Sequence, residues 1–234
     1  MSSGRLRPTE HDVRTSVGTL RVNLWEPMVP AAALTIVTVH PWAPLGGSEA
    51  NTLGVARTFA ESGVRALSFD MSSSSMVWGV LTNHGREVKQ VTDLCNWAKE
   101  QWPTSDVLLF GSSAGSPQAG SVLDRCSHVV GIACVGYTWG ALSSIAFGRH
   151  YSSFLKSTKP KLLITGDRDE FTSVSVLESY VTKAHTGTVE SVVIKGAGHF
   201  ELEMPAADGL VVGTVVEWIK QRGWWLECDH VMPT

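Results

Sequence analysis

The sequence has no run of lysine and arginine, no apolar stretch long enough for a signal-peptide core or a membrane span, no repeat and no long linker. Each absence removes a class of function. Charged residues make up only 18% of the 234, and the net charge is −3, so the positive footprint that nucleic-acid binding requires is missing. The polar opening Met1 to Glu10 leads into no apolar core, which predicts a soluble chain that is neither exported nor membrane-bound. Without a linker or repeat, residues 1–234 are expected to form one domain.

Cysteine is scarce as well. Cys95, Cys126, Cys134 and Cys228 form no CxxC and no metal-ligand spacing, and the apolar neighbours Leu94, Ile132 and Ala133 predict buried thiols. That favours a reducing compartment, most simply the cytosol. No metal site is expected.

What is present is apolar periodicity. Val13 to Val17 and Leu20 to Leu24 alternate apolar and polar around Gly18-Thr19, the pattern of an antiparallel hairpin. Beyond it, Leu34–Val39, Val64–Phe69, Val107–Phe110, Val129–Val135, Leu162–Ile164 and Val189–Ile194 are short, apolar and β-branched, as strands covered on both faces are. Helical spacing fills the intervals Ser48–Ser62, Gly85–Glu100, Ala114–Arg125, Val174–Ala184 and Ala207–Arg222. The alternation predicts an α/β fold: a doubly wound, mostly parallel sheet with helices on both faces and the antiparallel hairpin at its start.

Ligands of such sheets sit at the carboxyl ends of the strands. Four motifs fall there: Val39-His40-Pro41-Trp42, Gly111-Ser112-Ser113-Ala114-Gly115, Gly166-Asp167-Arg168-Asp169 and Gly196-Ala197-Gly198-His199. The second is a G-x-S-x-G, a tight strand-to-helix turn that presents a serine hydroxyl, and acid and histidine follow in the order Ser, Asp, His. Ser113 is the candidate nucleophile. A serine hydroxyl needs an adjacent base, and His199 is the candidate, carried on a loop flexible enough to bring the imidazole to it. The orienting acid is Asp169, Asp167 or Glu170, three carboxyls within four residues. Asp167 also suits a turn role, satisfying backbone N–H groups. One oxyanion donor should be the N–H of Ala114, the other an N–H in the loop after His40. Ser48 suits the N-cap of the helix after that loop. His40 suits loop organisation by hydrogen bonding, whereas His11, His128, His150, His185 and His230 read as surface residues.

These motifs resemble those of the α/β-hydrolase superfamily, in particular small, lid-poor serine hydrolases related to dienelactone hydrolases and serine aminopeptidases. The resemblance runs from Leu34 to Trp218. It implies Asp169 as the acid and, because proline has no N–H, Trp42 as the second oxyanion donor. It departs after Asp70, where Met71-Ser72-Ser73-Ser74-Ser75-Met76 replaces a glycine-rich turn. A serine nucleophile argues against a true dienelactone hydrolase, which uses cysteine.

Between Gly136 and Pro160 about 25 residues allow one or two small helices, a minimal cap. The pocket is expected to be open, with His40, His84, Tyr137, Trp139, Phe171 and Phe200 as possible substrate-lining residues. The expected activity is that of a carboxylesterase-like serine hydrolase acting without cofactor on a small-molecule ester or thioester. An amidase with a carboxylate for a free amine (Glu170, Glu201 or Glu203) and a non-catalytic binding protein are the alternatives. Monomer and dimer are both compatible with the sequence.

Overall fold

The computed structural model describes residues 6–43, 46–72, 85–185 and 188–226. His84, Ser73 to Ser75, Cys228 and His230 lie outside them.

Eight strands form one sheet in the order β1-β2-β4-β3-β5-β6-β7-β8. They are β1 (Thr9–Thr15), β2 (Gly18–Trp25), β3 (Leu34–Val39), β4 (Arg65–Phe69), β5 (Asp106–Ser112), β6 (Val129–Val135), β7 (Lys161–Gly166) and β8 (Val189–Ile194). β2 runs antiparallel to both β1 and β4, and every other pairing is parallel. The expected hairpin is therefore part of the main sheet: Val22 pairs with Phe69 and Trp25 with Ala66. The central strands β3, β5 and β7 are buried along nearly their whole length, which is why their sequences are continuously apolar rather than alternating.

The helices are α1 (Ala50–Glu61), α2 (Gly85–Gln101), α3 (Gly115–Gly120), α4 (Ala141–Lys156), α5 (Val174–Val181), α6 (His199–Leu202) and α7 (Asp208–Gln221). Two apolar cores result, one on each face of the sheet. One packs α1 and α7 through Val55, Phe59, Val211 and Ile219 against Ile36, Leu108 and Ile164. The other packs α2, α4 and the inner face of the hairpin, with Val22, Val91, Leu94 and Phe154, against Val37, Leu109 and Ile132. Helices on both faces of a mostly parallel sheet are what the alternation predicts.

Four local expectations are corrected. The helix after Ser113 ends at Gly120 rather than Arg125, glycine being a poor helix residue. A Cβ at Gly120 would stand 3.1 Å from the Phe154 ring, so the glycine admits α4 at close range. The segment after β6 holds one helix of 16 residues, α4, rather than small pieces. Ser48 does not cap α1, whose N-cap is Glu49; the Ser48 N–H instead donates to Asn51 Oδ1 at 3.0 Å. His150 is fully buried and bonded to Ser121 Oγ at 2.5 Å, because it lies on the core side of α4. Cys95, Cys126 and Cys134 are free and buried.

Candidate active site

β5 ends in Gly111-Ser112, and Ser113 turns the chain into α3. Ser113 has φ +49°, the one non-glycine positive φ among the described residues. That conformation is unfavourable for a side-chain-bearing residue, and the surrounding packing holds it. The Ser113 N–H donates to Val135 O on β6 at 2.9 Å. The turn must also be slim: a Cβ at Gly115 would lie 2.3 Å from the His40 carbonyl oxygen, and one at Gly111 2.5 Å from Ser116 Cα.

Ser113 Oγ lies 2.8 Å from His199 Nε2, and His199 Nδ1 lies 2.8 Å from Asp169 Oδ2. The three motifs, spread over 86 residues, meet in one line. Asp169 Oδ1 also accepts the N–H groups of Phe171 and Thr172, both at 2.8 Å, so the carboxylate is held from both sides. With Nδ1–H pointed at Asp169, Nε2 is the ring nitrogen left to accept the serine proton.

The histidine does not ride on a pliable loop as expected; it opens α6. Its N–H donates to Glu170 Oε2 at 3.1 Å, and Glu201 Oε2 accepts the Gly198 N–H at 2.8 Å. Asp167 Oδ1 accepts the Gly196 N–H at 2.7 Å, the turn role foreseen for it. Gly136, with φ +59°, backs the imidazole: a Cβ there would lie 2.8 Å from His199 Cε1. The ring of Phe171 covers the imidazole from another side at 4.6 Å between centroids.

A cavity of about 460 Å³ opens over Ser113 and His199. Its walls include Pro41, Trp42, Phe147, Phe171, Phe200 and Glu203. Ala114 lines it directly beside Ser113, and Trp42, buried on the loop after the neighbouring parallel strand β3, lines it as well. Phe171 and Phe200 stand at the cavity wall. Tyr137 and Trp139 do not. They stack on each other at 3.8 Å between centroids, and Trp139 stacks on Tyr180 at 4.1 Å, so α4 and α5 take them into the core.

His40 is likewise no lining residue. It is fully buried; Nδ1 lies 2.6 Å from Pro41 O, and Nε2 accepts the Met71 N–H at 2.9 Å. Burial lowers its pKa, which keeps the ring neutral and suited to one donor and one acceptor role. It ties the end of β3 to the end of β4.

Glu203 is the residue whose placement the sequence left open. It follows α6, four residues after His199, and its Oε1 accepts from Ser112 Oγ at 3.0 Å and lies 3.9 Å from His199 Nε2. Burial raises its pKa above the usual carboxylate value, partly opposed by His199 and by the hydroxyls of Ser112 and Ser113. The signal for it was the i, i+4 spacing from His199, readable only once a helix is placed there.

No family model matches the chain, and no curated protein matches it. Solved structures do. A serine hydrolase homologue from Coxiella burnetii is 23% identical, over 88% of this chain and 97% of its own, with a TM-score of 0.73. The chain has the α/β-hydrolase fold. An α/β serine hydrolase without a lid from Xanthomonas campestris is 20% identical over 91% of this chain and 95% of its own, TM-score 0.73. A dienelactone hydrolase from Anabaena variabilis is 21% identical over 92% and 98%, TM-score 0.67. Among the described residues of this α/β-hydrolase-fold chain, no helix is long and apolar enough to cross a membrane.

Proposed function

We propose that the chain is a serine hydrolase that cleaves a small ester or thioester through an acyl-serine intermediate. The observation that carries the reading is the unbroken line from Ser113 Oγ through His199 to Asp169, with both links at 2.8 Å, opening on an apolar cavity. Ser113 Oγ attacks the substrate carbonyl while its proton passes to His199 Nε2, and Asp169 stabilises the imidazolium. The backbone N–H groups of Ala114 and Trp42 hold the oxyanion. Collapse breaks the bond to the leaving group, which takes the proton from Nε2. Water then adds to the acyl carbon, giving its proton to His199, and the acid departs as Ser113 Oγ regains that proton. The route needs no metal or organic cofactor.

The test is labelling by a fluorophosphonate probe. Wild type is expected to label and Ser113→Ala is not. Absence of labelling in wild type, or labelling that survives the substitution, refutes the reading and favours a non-catalytic binding protein. Turnover of 4-nitrophenyl esters of rising chain length beside aminoacyl amides then separates esterase from amidase.

A further inference from the structure

We propose that Glu203 recognises a protonated amine on the acyl part of the substrate, one carbon from the scissile carbonyl. The inference rests on the hydrolase reading and narrows it to a substrate class.

It begins with how the carboxylates of the site are used. Asp169 is closed off by His199 and two backbone N–H groups. Glu170 and Glu201 are committed to the N–H groups of His199 and Gly198. Glu203 faces the cavity, and among the described residues lining it there is no other acidic residue and no lysine or arginine. Its anchor is Ser112 Oγ, bonded to Oε1. A carboxylate offers about four acceptor sites, so the hydroxyls of Ser112 and Ser113 still leave capacity for a ligand.

The surroundings select the ligand's charge. Trp42, Phe147, Phe171 and Phe200 form much of the wall, so the Glu203 carboxylate has lost part of its hydration and gains from a cation placed against it. Aromatic faces add to the attraction for an ammonium. An anionic acyl group would meet like charge. Position selects where the amine must be. Glu203 Oε1 lies 3.9 Å from the Nε2 that serves Ser113, on the reacting side of the imidazole. A group that reaches it must therefore stand next to the scissile carbonyl, not at the far end of a long chain.

The experiment compares kcat/KM at pH 6.5 for three matched 4-nitrophenyl esters: 2-aminobutanoate, its neutral isostere 2-methylbutanoate, and the monoester of ethylmalonate, which carries a carboxylate at the same carbon. The ratio of cationic to neutral ester is measured in wild type and in Glu203→Gln, because comparing the two ratios cancels the esters' different intrinsic reactivity. The ratio is expected to fall by roughly 10- to 100-fold in Glu203→Gln, the usual worth of a hydrogen bond to a charged partner. The anionic ester should be the poorest substrate of wild type and improve in the variant. Ser112→Ala, which frees the carboxylate from its anchor, should lower the ratio part of the way.

An equal loss on all three esters in Glu203→Gln would overturn the proposal in favour of a purely structural role. An unchanged ratio would overturn it as well. If the variant does not fold, wild type alone decides: propylammonium must protect Ser113 from the fluorophosphonate better than neutral 1-propanol, and equal protection overturns the proposal. Labelling without any cation preference defeats this inference alone, whereas absence of labelling defeats the hydrolase reading.

Discussion

Gly136 offers the sharpest single perturbation of the site. It lies just past the end of β6 with φ +59°, and a Cβ there would stand 2.8 Å from His199 Cε1 and 3.0 Å from Nδ1. Ordinary contact begins near 3.4 Å, so in Gly136→Ala the imidazole must retreat by about 0.6 Å or the backbone must yield. Retreat carries the ring off the line between Asp169 and Ser113, both of which it now meets at 2.8 Å, in a space already packed by the Phe171 ring. A misplacement approaching 1 Å costs on the order of 100-fold in rate, which is the loss expected in kcat/KM and in fluorophosphonate labelling. The left-handed conformation costs alanine about 1–2 kcal/mol, so Tm should fall by roughly 2–8 °C, far less than global unfolding. Adding Phe171→Ala gives the ring room and should restore part of the labelling rate, a coupling read by the double-mutant cycle. Gly136→Ala with a wild-type labelling rate would refute the argument that this glycine sets the imidazole's position.

Two further outcomes follow from residues beyond the line of three. Trp139→Ala, which empties the stack between Tyr137 and Tyr180, should lose about 3–5 kcal/mol in chemical denaturation while leaving the ranking of ester chain lengths intact; a changed ranking at full stability would return Trp139 to the pocket wall. Asp208, packed against Gly54 of α1, has its pKa raised by burial from 3.8 to about 6. The folded chain thus holds this proton more tightly than the unfolded one, and stability is lost as pH rises from about 4 through 6. Asp208→Asn should raise Tm at pH 7.5, with the gain vanishing toward pH 4; a gain independent of pH would show that charge is not its cause.

The sheet was legible because its strands announce themselves by composition: a buried parallel strand needs an unbroken apolar run, and Leu34–Val39 and Val129–Val135 have the same bounds in sequence and structure. The line from Ser113 to Asp169 was legible because its residues sit in glycine-bounded turns at strand ends, where local sequence dictates local geometry. What escaped depends on packing between distant elements. Tyr137 and Trp139 follow a strand end as lining residues would, but α4 and α5 close over them. α4 itself was hard to see, since Ser143, Ser144, Gly148, Ser152 and Ser153 lower its helix propensity, although Phe147, Tyr151 and Phe154 mark one apolar face. Glu203 could not be singled out from Glu170 and Glu201 for a similar reason. Only a short helix at His199 brings its carboxylate to the imidazole.

The order in which the sheet is assembled has a consequence for the chain as it is made. Ser113 follows β5, Asp169 follows β7 and His199 follows β8, the strand at the far edge of the sheet. A growing chain can form the hairpin, β3, β4 and the serine turn long before its base has been synthesised, and a chain that stops before β8 docks has a presented hydroxyl with no acceptor for its proton. Because β8 pairs with β7 alone among the described strands, closing this last contact is also what brings the imidazole into place. Reactivity toward a serine probe would then appear late and abruptly during synthesis, as a reporter of the finished sheet rather than of the turn that carries the serine.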